Sequence, residues 1–303
     1  MGTRGQAVTH DAVTAPDQGA APQVSVVIPA RNAARTIDAQ LGALADQDYD
    51  GAIEVIVADN GSTDDTTRRA RAWGDRLPGL RVVDATDRAG PAHARNVGIA
   101  AATADLVLCC DADDVVDRSW VRLLVAALAT ADAVAGGTVD FRRDPPANPP
   151  PPRPFGTAGF GFLPALMSCS CGLRRAAWEA VGGFDEDFVT CEDIDLAWRI
   201  QRAGFTLVQV PDAFVYYREP GTARDVVRAW FRYGRFQPLL MQRFGPDGLH
   251  RDRSVRVLAA WGRLALTCYR VAGNDSARRT WCRDLGRRMG RIVGSIRTRT
   301  LYL

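Results

Sequence analysis

Short runs of aliphatic and β-branched residues alternate with amphipathic stretches through the first two thirds of this 303-residue sequence, and that alternation constrains the fold most tightly. "VSVVIPA" (24–30), "IEVIVAD" (53–59), "LRVVDA" (80–85), "LVLCCDA" (106–112) and "AVAGGTVDF" (133–141) have the length and content of strands buried on both faces. Between them, "TIDAQLGALADQ" sets Ile37, Leu41, Leu44 and Ala45 at helical spacing, and "GPAHARNVGIAAATA" and "SWVRLLVAALAT" predict further helices. Such alternation dictates an α/β fold, Rossmann-like, with a mainly parallel central sheet flanked by helices. Ligands of these sheets bind beyond the carboxyl ends of the strands. Asp59, Asn60, Asp111 and Asp113 all fall there.

The stretch "VLCCDADDVV" (107–116) sharpens the point. A buried strand runs straight into three carboxylates, which repel one another wherever water is scarce. Solvent at the strand end could relieve them; so could a divalent cation gripping an anionic ligand. Asp-x-Asp at a strand exit brings two carboxylates to one side of a bend, as a hard ion requires. In "GGFDEDFVTCEDIDLAWRIQRAG" (182–204), Glu192, Asp193 and Asp195 open a helix, where the macrodipole favours acids and where a general base could face a crevice.

Four segments follow from composition. Residues 1–22 lack an apolar core and predict a disordered leader rather than a signal peptide. Residues 23–140 carry the regular alternation, and 141–218 add a Pro-rich loop ("RRDPPANPPPPRPFGTAGFG", 142–161), a spacer or a flap, before the acidic helix. Residues 219–303 predict a basic helical region: from Arg218 onward there are 19 Arg against 6 acids, in a chain whose 38 basic residues include no Lys. Within it Arg256, Arg263 and Arg270 recur every seven residues of "SVRVLAAWGRLALTCYRVAG" (254–273), predicting an amphipathic helix that either lies on an acidic membrane surface or caps the preceding domain with its arginines facing water, and "WFRYGRFQPLL" (230–240) reads as a similar surface. Nucleic acid is not an expected partner, since no recognition module accompanies the charge. The seven cysteines, odd in number, read as buried free thiols, and Cys169-x-Cys171 lacks the partners of a zinc site. No apolar run is long enough to span a bilayer. A cytoplasmic protein is expected, either free or peripheral on the inner face of the cell membrane.

Taken in order, Pro29-Ala30-Arg31-Asn32, Asp59-Asn60-Gly61-Ser62-Thr63-Asp64, Arg95-Asn96-x-Gly98, Asp111-Ala112-Asp113-Asp114, Gly182-Gly183-Phe184-Asp185 and Glu192-Asp193-x-Asp195-Leu196 resemble glycosyltransferase family 2, over roughly residues 23–218. The resemblance implies a GT-A fold and transfer of a sugar, with inversion, from a nucleoside diphosphate sugar, UDP-sugar first, to a hydroxyl acceptor whose class it leaves open, the basic tail leaning towards a lipid-linked chain or polysaccharide. It implies a nucleoside pocket lined by Pro29, Ala30, Arg31, Asn32, Asp59 and Asn60, with Arg95, Asp111 and Ala112 on the donor. Mg²⁺ or Mn²⁺ would sit on Asp113 and Asp111, Asp193 would be the base, and Glu192 and Asp195 would contact acceptor or orient the helix.

Two departures stand out. Asn60 occupies a position where the family often has a second Asp, and Tyr216-Tyr217-Arg218 replaces a His that can approach the metal, which leaves either a metal site with fewer protein ligands or Arg218 to neutralise phosphate. The alternatives are a non-catalytic nucleotide-sugar-binding subunit and a sugar-phosphate nucleotidyltransferase; for the latter, "IPARNAARTI" (28–37) lacks a Gly-rich loop.

Overall fold

The computed structural model describes residues 23–141, 145–146, 148–250 and 254–303; the expected leader lies outside the described residues. The α/β expectation holds. Strands β1 (Val24–Ala30), β2 (Ile53–Asp59), β3 (Leu80–Asp84) and β4 (Leu106–Cys110) are joined through helices α1 (Ile37–Ala45), α2 (Thr66–Arg71) and α3 (Pro91–Ala101). They pair in parallel in the order β3-β2-β1-β4. Ala30, Asp59 and Asp84 therefore align across one edge of the sheet, the edge from which Asp111 also emerges.

The second half comprises β5 (Val115–Val116), α4 (Trp120–Leu128), β6 (Ala133–Phe141), β7 (Ser170–Arg174), α5 (Arg175–Ala180), α6 (Glu192–Arg202) and β8 (Leu207–Arg218). Among the described residues one eight-stranded sheet results, in the order β3-β2-β1-β4-β7-β6-β8-β5. It is more mixed than expected. β7 lies antiparallel to both β4 and β6, and β5 antiparallel to β8. The cause is the connection: β6 reaches β7 through the Pro-rich loop instead of a crossover helix, so the chain returns in the opposite direction.

Each strand of the inner sheet feeds two cores. Leu108 and Cys110 pack with Val26, Ile28, Leu41 and Trp120 on one face. Val107 and Cys109 pack with Ile99, Leu196 and Trp198 on the other. Gly98 lets α3 lie directly on β1, since a Cβ there would stand 2.4 Å from Val27 Cγ1. That contact fixes the height of Arg95, one turn earlier.

Past β8 the chain is helical, as expected: α7 (Ala223–Phe244), α8 (Ser254–Leu266) and α9 (Asp275–Thr298). Thr222 caps α7 and Asn274 caps α9 by accepting from backbone N–H groups. Gly286, Gly290 and Gly294 place α9 against α7 so closely that Cβ atoms would lie 2.5, 2.2 and 2.2 Å from the carbonyl oxygens of Val227, Phe231 and Arg235. The ascending order on both sides makes the pair parallel. Much of "WFRYGRFQPLL" is therefore a helix seam, with Gly234, Gln237, Pro238 and Leu240 buried, rather than the second outer surface expected.

The helix expected over 254–273 ends at Leu266. Thr267 turns its hydroxyl back to the Arg263 carbonyl, 2.7 Å away, and a 3-10 turn over Cys268–Ala272 follows, so Arg270 leaves the α-helical register. All seven cysteines are free and six are buried; Cys268, in that turn, is exposed, contrary to expectation. No helix among the described residues is long and apolar enough to cross a membrane.

Candidate active site

Arg95 organises the site. Buried to 3% exposure, its guanidinium donates 2.6 Å to Asp111 Oδ1 beyond β4 and 2.8 Å to Glu192 Oε1 at the start of α6. Burial alone would depress its pKa, but Asp111 and Glu192 outweigh that and hold it above the ordinary arginine value. The next residue extends the link: Asn96 donates to and accepts from the Phe184 backbone at 2.9 Å and donates to Glu186. The Arg-Asn pair thus ties the aspartate turn, the acidic helix and the Gly-Gly-Phe-Asp turn into one crevice.

The aspartate turn is held from outside. Gln40 on α1 donates 3.0 Å to the Asp111 carbonyl and accepts 3.0 Å from the Val116 N–H. Arg218 donates from its backbone N–H to Asp114 Oδ1 (2.8 Å) and from Nε to the Asp113 carbonyl (2.9 Å), while its guanidinium lies over Phe141. Asp113 is exposed, yet the protein packed around its carboxylate costs it part of its water and Asp111 repels its charge, so its acid is pushed up to about 6. Buried Asp114 is likewise raised, by burial first and by Asp113 and Asp111 next.

These residues fit a hard divalent cation. Asp114 Oδ2 is buried without a hydrogen-bond partner, and raised acids mark negative charge that Arg95 and Arg218 leave uncompensated. Carboxylate oxygens of Asp111 and Asp114 and the Cys169 sulfur lie within 4.8 Å of one another among the described residues. This group takes in Asp111 but substitutes Asp114 and Cys169 for Asp113 of the expected pair. Burial pushes the Cys169 thiol well up, which keeps it neutral and a poor ligand for Mg²⁺.

At the carboxyl edge of the sheet the loops after β1 and β2 clasp each other. Asn32, at φ 55°, accepts 2.8 Å from the Thr63 N–H, and its own N–H donates 3.0 Å to Ser62 Oγ. Asp59 accepts from the Ser62 N–H at 3.2 Å. Pro29 is half-buried, Ala30 buried and Arg31 exposed beside them, and Ala112 is buried within the aspartate turn. Asn60 behaves differently: it is buried, donates to the Ala85 and Arg88 carbonyls and accepts from the Gly90 N–H. Its amide fastens the β3–α3 loop rather than facing a base.

On the far side, Asp193 stands half-buried at the first turn of α6, accepting from the Ser168 N–H (3.2 Å) and its neighbour Ile194 N–H (2.8 Å). Loss of water raises its proton affinity. Burial and the Asp193 charge also push Glu192 up, against the pull of Arg95. Cys191, which precedes them, holds a left-handed φ of 68°, a strained backbone for a non-glycine residue that aims the helix start. Asp195 is fully buried between Arg199 (2.7 Å) and Arg243 (2.6 Å). It orients the helix and is withdrawn from the crevice.

Asp193 lines a cavity of about 390 Å³. Phe155 and Phe160 of the Pro-rich loop, Tyr217 of β8, Trp230 and Tyr233 of α7 and Arg283 of α9 form its walls; Asp111 and Asp113 lie outside it. The cavity connects to the aspartate turn through the chain neighbour of Asp193, Glu192, which Arg95 joins to Asp111. Sequence reasoning missed these aromatic walls and missed Gln40. Gln40 was detectable as a polar residue on the apolar stripe of α1, whereas the cavity is assembled from segments far apart in the chain.

A family described as Glycosyl transferase family 2 matches residues 25–191, and one described as Glycosyl transferase family group 2 matches residues 160–273. The chain is 29% identical to the pre-mycofactocin glycosyltransferase of Mycobacterium tuberculosis over 263 residues, 80% of this chain and 51% of that protein. It is 35% identical to the succinoglycan biosynthesis protein ExoU of Rhizobium meliloti over 199 residues, 57% of this chain and 55% of that one. The chain therefore spans about half the length of these curated relatives. Among solved structures, it shares the fold of the mannosyltransferase PcManGT from Pyrobaculum calidifontis in complex with GDP-Man and Mn²⁺ (TM-score 0.62, 23% identity, 93% of this chain and 89% of that one). It also shares that of S. aureus TarS in complex with UDP-GlcNAc (TM-score 0.53, 17% identity, 93% of each chain).

Proposed function

Because the chain belongs to glycosyl transferase family 2, we propose that it moves a sugar from a nucleoside diphosphate donor to a hydroxyl acceptor. One observation carries the reading: Arg95 joins Asp111 and Glu192, so the carboxylates beyond β4 and the base candidate beside Glu192 share one crevice. Residues 23–140 form the donor half, with Pro29 to Asn32 and Asp59 at the nucleoside. Residues 141–218 form the acceptor half, and 219–303 complete the acceptor cavity. Donors of this type accompany two proteins of the same fold, PcManGT with GDP-Man and TarS with UDP-GlcNAc; a UDP-sugar is the first to test.

Asp193 takes the proton of the acceptor hydroxyl onto its carboxylate as that oxygen attacks the anomeric carbon. The bond from that carbon to the phosphate oxygen breaks with its electron pair on the nucleoside diphosphate, so the configuration inverts. The raised proton affinity of Asp193 suits a base. Asp111, together with Asp113 or with Asp114, whose buried Oδ2 has no hydrogen-bond partner, would hold Mg²⁺ or Mn²⁺, which when bound supplies positive charge against the departing diphosphate. Arg218, held to the aspartate turn through the Asp113 carbonyl, would add to that charge, and the aromatic cavity walls favour a ring-bearing acceptor, such as a terminal sugar of a lipid-linked chain or polysaccharide.

The nucleotidyltransferase alternative draws no support from the β1–α1 loop, which has no glycine and is clasped by Ser62 and Asp64. The test supplies a panel of nucleotide sugars with membrane and polysaccharide extracts and follows nucleoside diphosphate release. Asp193→Asn should slow release by about 10²–10⁴-fold while nucleotide binding persists. Full turnover in that variant would remove Asp193 as the base.

A further inference from the structure

Helix α8 carries two apolar faces, and only one has a partner within the described residues. The inner face leans on α9: Leu264 is buried, its carbonyl accepts 2.9 Å from Trp281 Nε1, and Arg288 lies over the Trp261 ring. The outer face presents Val255, Leu258, Ala259, Gly262, Ala265 and Leu266, every one exposed. At helical spacing these residues form a single stripe about 120° wide. Val255, Leu258 and Leu266 are 76%, 71% and 81% exposed, and Tyr269 in the following 3-10 turn is 68% exposed. Water-facing leucines on this scale, in a row, mark a surface meant to be covered.

The charge beside the stripe identifies the cover. Arg256 and Arg263 are exposed along one flank of it, Arg270 is exposed in the turn beyond, and α8 contains no acidic residue. A second copy docking on this stripe by two-fold symmetry would bring arginine flanks together with no carboxylate on the helix to receive them. An anionic bilayer meets both requirements: the apolar stripe sinks to the boundary of the acyl chains while the arginines reach phosphates. We propose that the outer face of α8 is a membrane-docking surface selective for anionic lipid. The inference uses no residue of the active site and does not depend on the transferase reading.

Co-sedimentation of the full chain with vesicles tests it. Vesicles of phosphatidylcholine mixed with phosphatidylglycerol should bind the protein at least about tenfold more tightly than pure phosphatidylcholine, a difference that salt removes. Leu258→Glu with Leu266→Glu should abolish binding without lowering the melting temperature, because both side chains already face water. Arg256→Gln with Arg263→Gln should weaken binding to the anionic vesicles alone, by about tenfold. Wild-type protein that ignores both vesicles would overturn the proposal. So would sedimentation velocity showing an oligomer that the Leu258→Glu, Leu266→Glu variant dissolves, which would assign the face to a second copy.

Discussion

Asp113 tests how the crevice handles charge. An acid whose pKa is raised in the folded chain keeps a proton that the unfolded chain has already released, so stability falls as pH climbs from the ordinary aspartate range through about 6. Its exposure to solvent limits the effect. Asp113→Asn removes the charge, so the ligand-free variant should melt higher than wild type at neutral pH, by ~2 °C, with the gain vanishing toward pH 4. Scanning fluorimetry across pH checks this, and an equal melting temperature at every pH would show that water alone satisfies the carboxylate. At this scale the motifs were legible because each is a short run: Asp111 to Asp114, Arg95-Asn96 and Glu192-Asp193 all converge. The fastenings were not legible. Gln40 holds a turn 71 residues away and Arg243 reaches Asp195 across 48 residues. Asn60 reads as a base contact until the β3–α3 loop folds over it.

Among the elements, α9 shows why a helical glycine misleads a reading by propensity. Glycine weakens an isolated helix, yet Gly286, Gly290 and Gly294 recur on the face that presses on α7, where any side chain would strike backbone. The arginine periodicity of the same region was visible in the sequence; the glycine stripe has meaning only once its partner helix is known. Two substitutions separate the effects. Gly290→Ala puts a methyl 2.2 Å from the Phe231 carbonyl and should cost about 1–3 kcal/mol. Gly262→Ala on α8 meets nothing within 4 Å and should be neutral or stabilising by up to ~1 kcal/mol. Denaturant midpoints measure both, and equal effects would mean that helix propensity, rather than the α7–α9 approach, governs both sites. The shortened α8 teaches a related lesson: a seven-residue arginine repeat was read through Thr267, where the hydroxyl turns back on the preceding carbonyl and ends the helix.

For the whole molecule, the parallel first half was readable because each strand and helix is local, and its carboxyl edge followed from the fold class. The antiparallel insertion of β7 between β4 and β6 was not, since "SCSCGLR" follows a Pro-rich loop that gives no sign of direction. That insertion matters to function. It brings Cys169 and Ser168 beside the aspartate turn and Asp193, and so closes the carboxyl edge of the sheet against the aromatic cavity. A crevice built this way, with excess carboxylate at the aspartate turn, should bind a nucleoside diphosphate only together with a cation that offsets the combined negative charge. The most direct test is the melting temperature of the purified protein with UDP, GDP, dTDP and CMP, each with and without Mn²⁺, beside Asp113→Asn. Ligand bound to the folded state raises that temperature by mass action. The account predicts that one nucleoside diphosphate stabilises the protein, that it does so only with the metal, and that Asp113→Asn loses the response. No stabilisation by any nucleotide with metal present would contradict it.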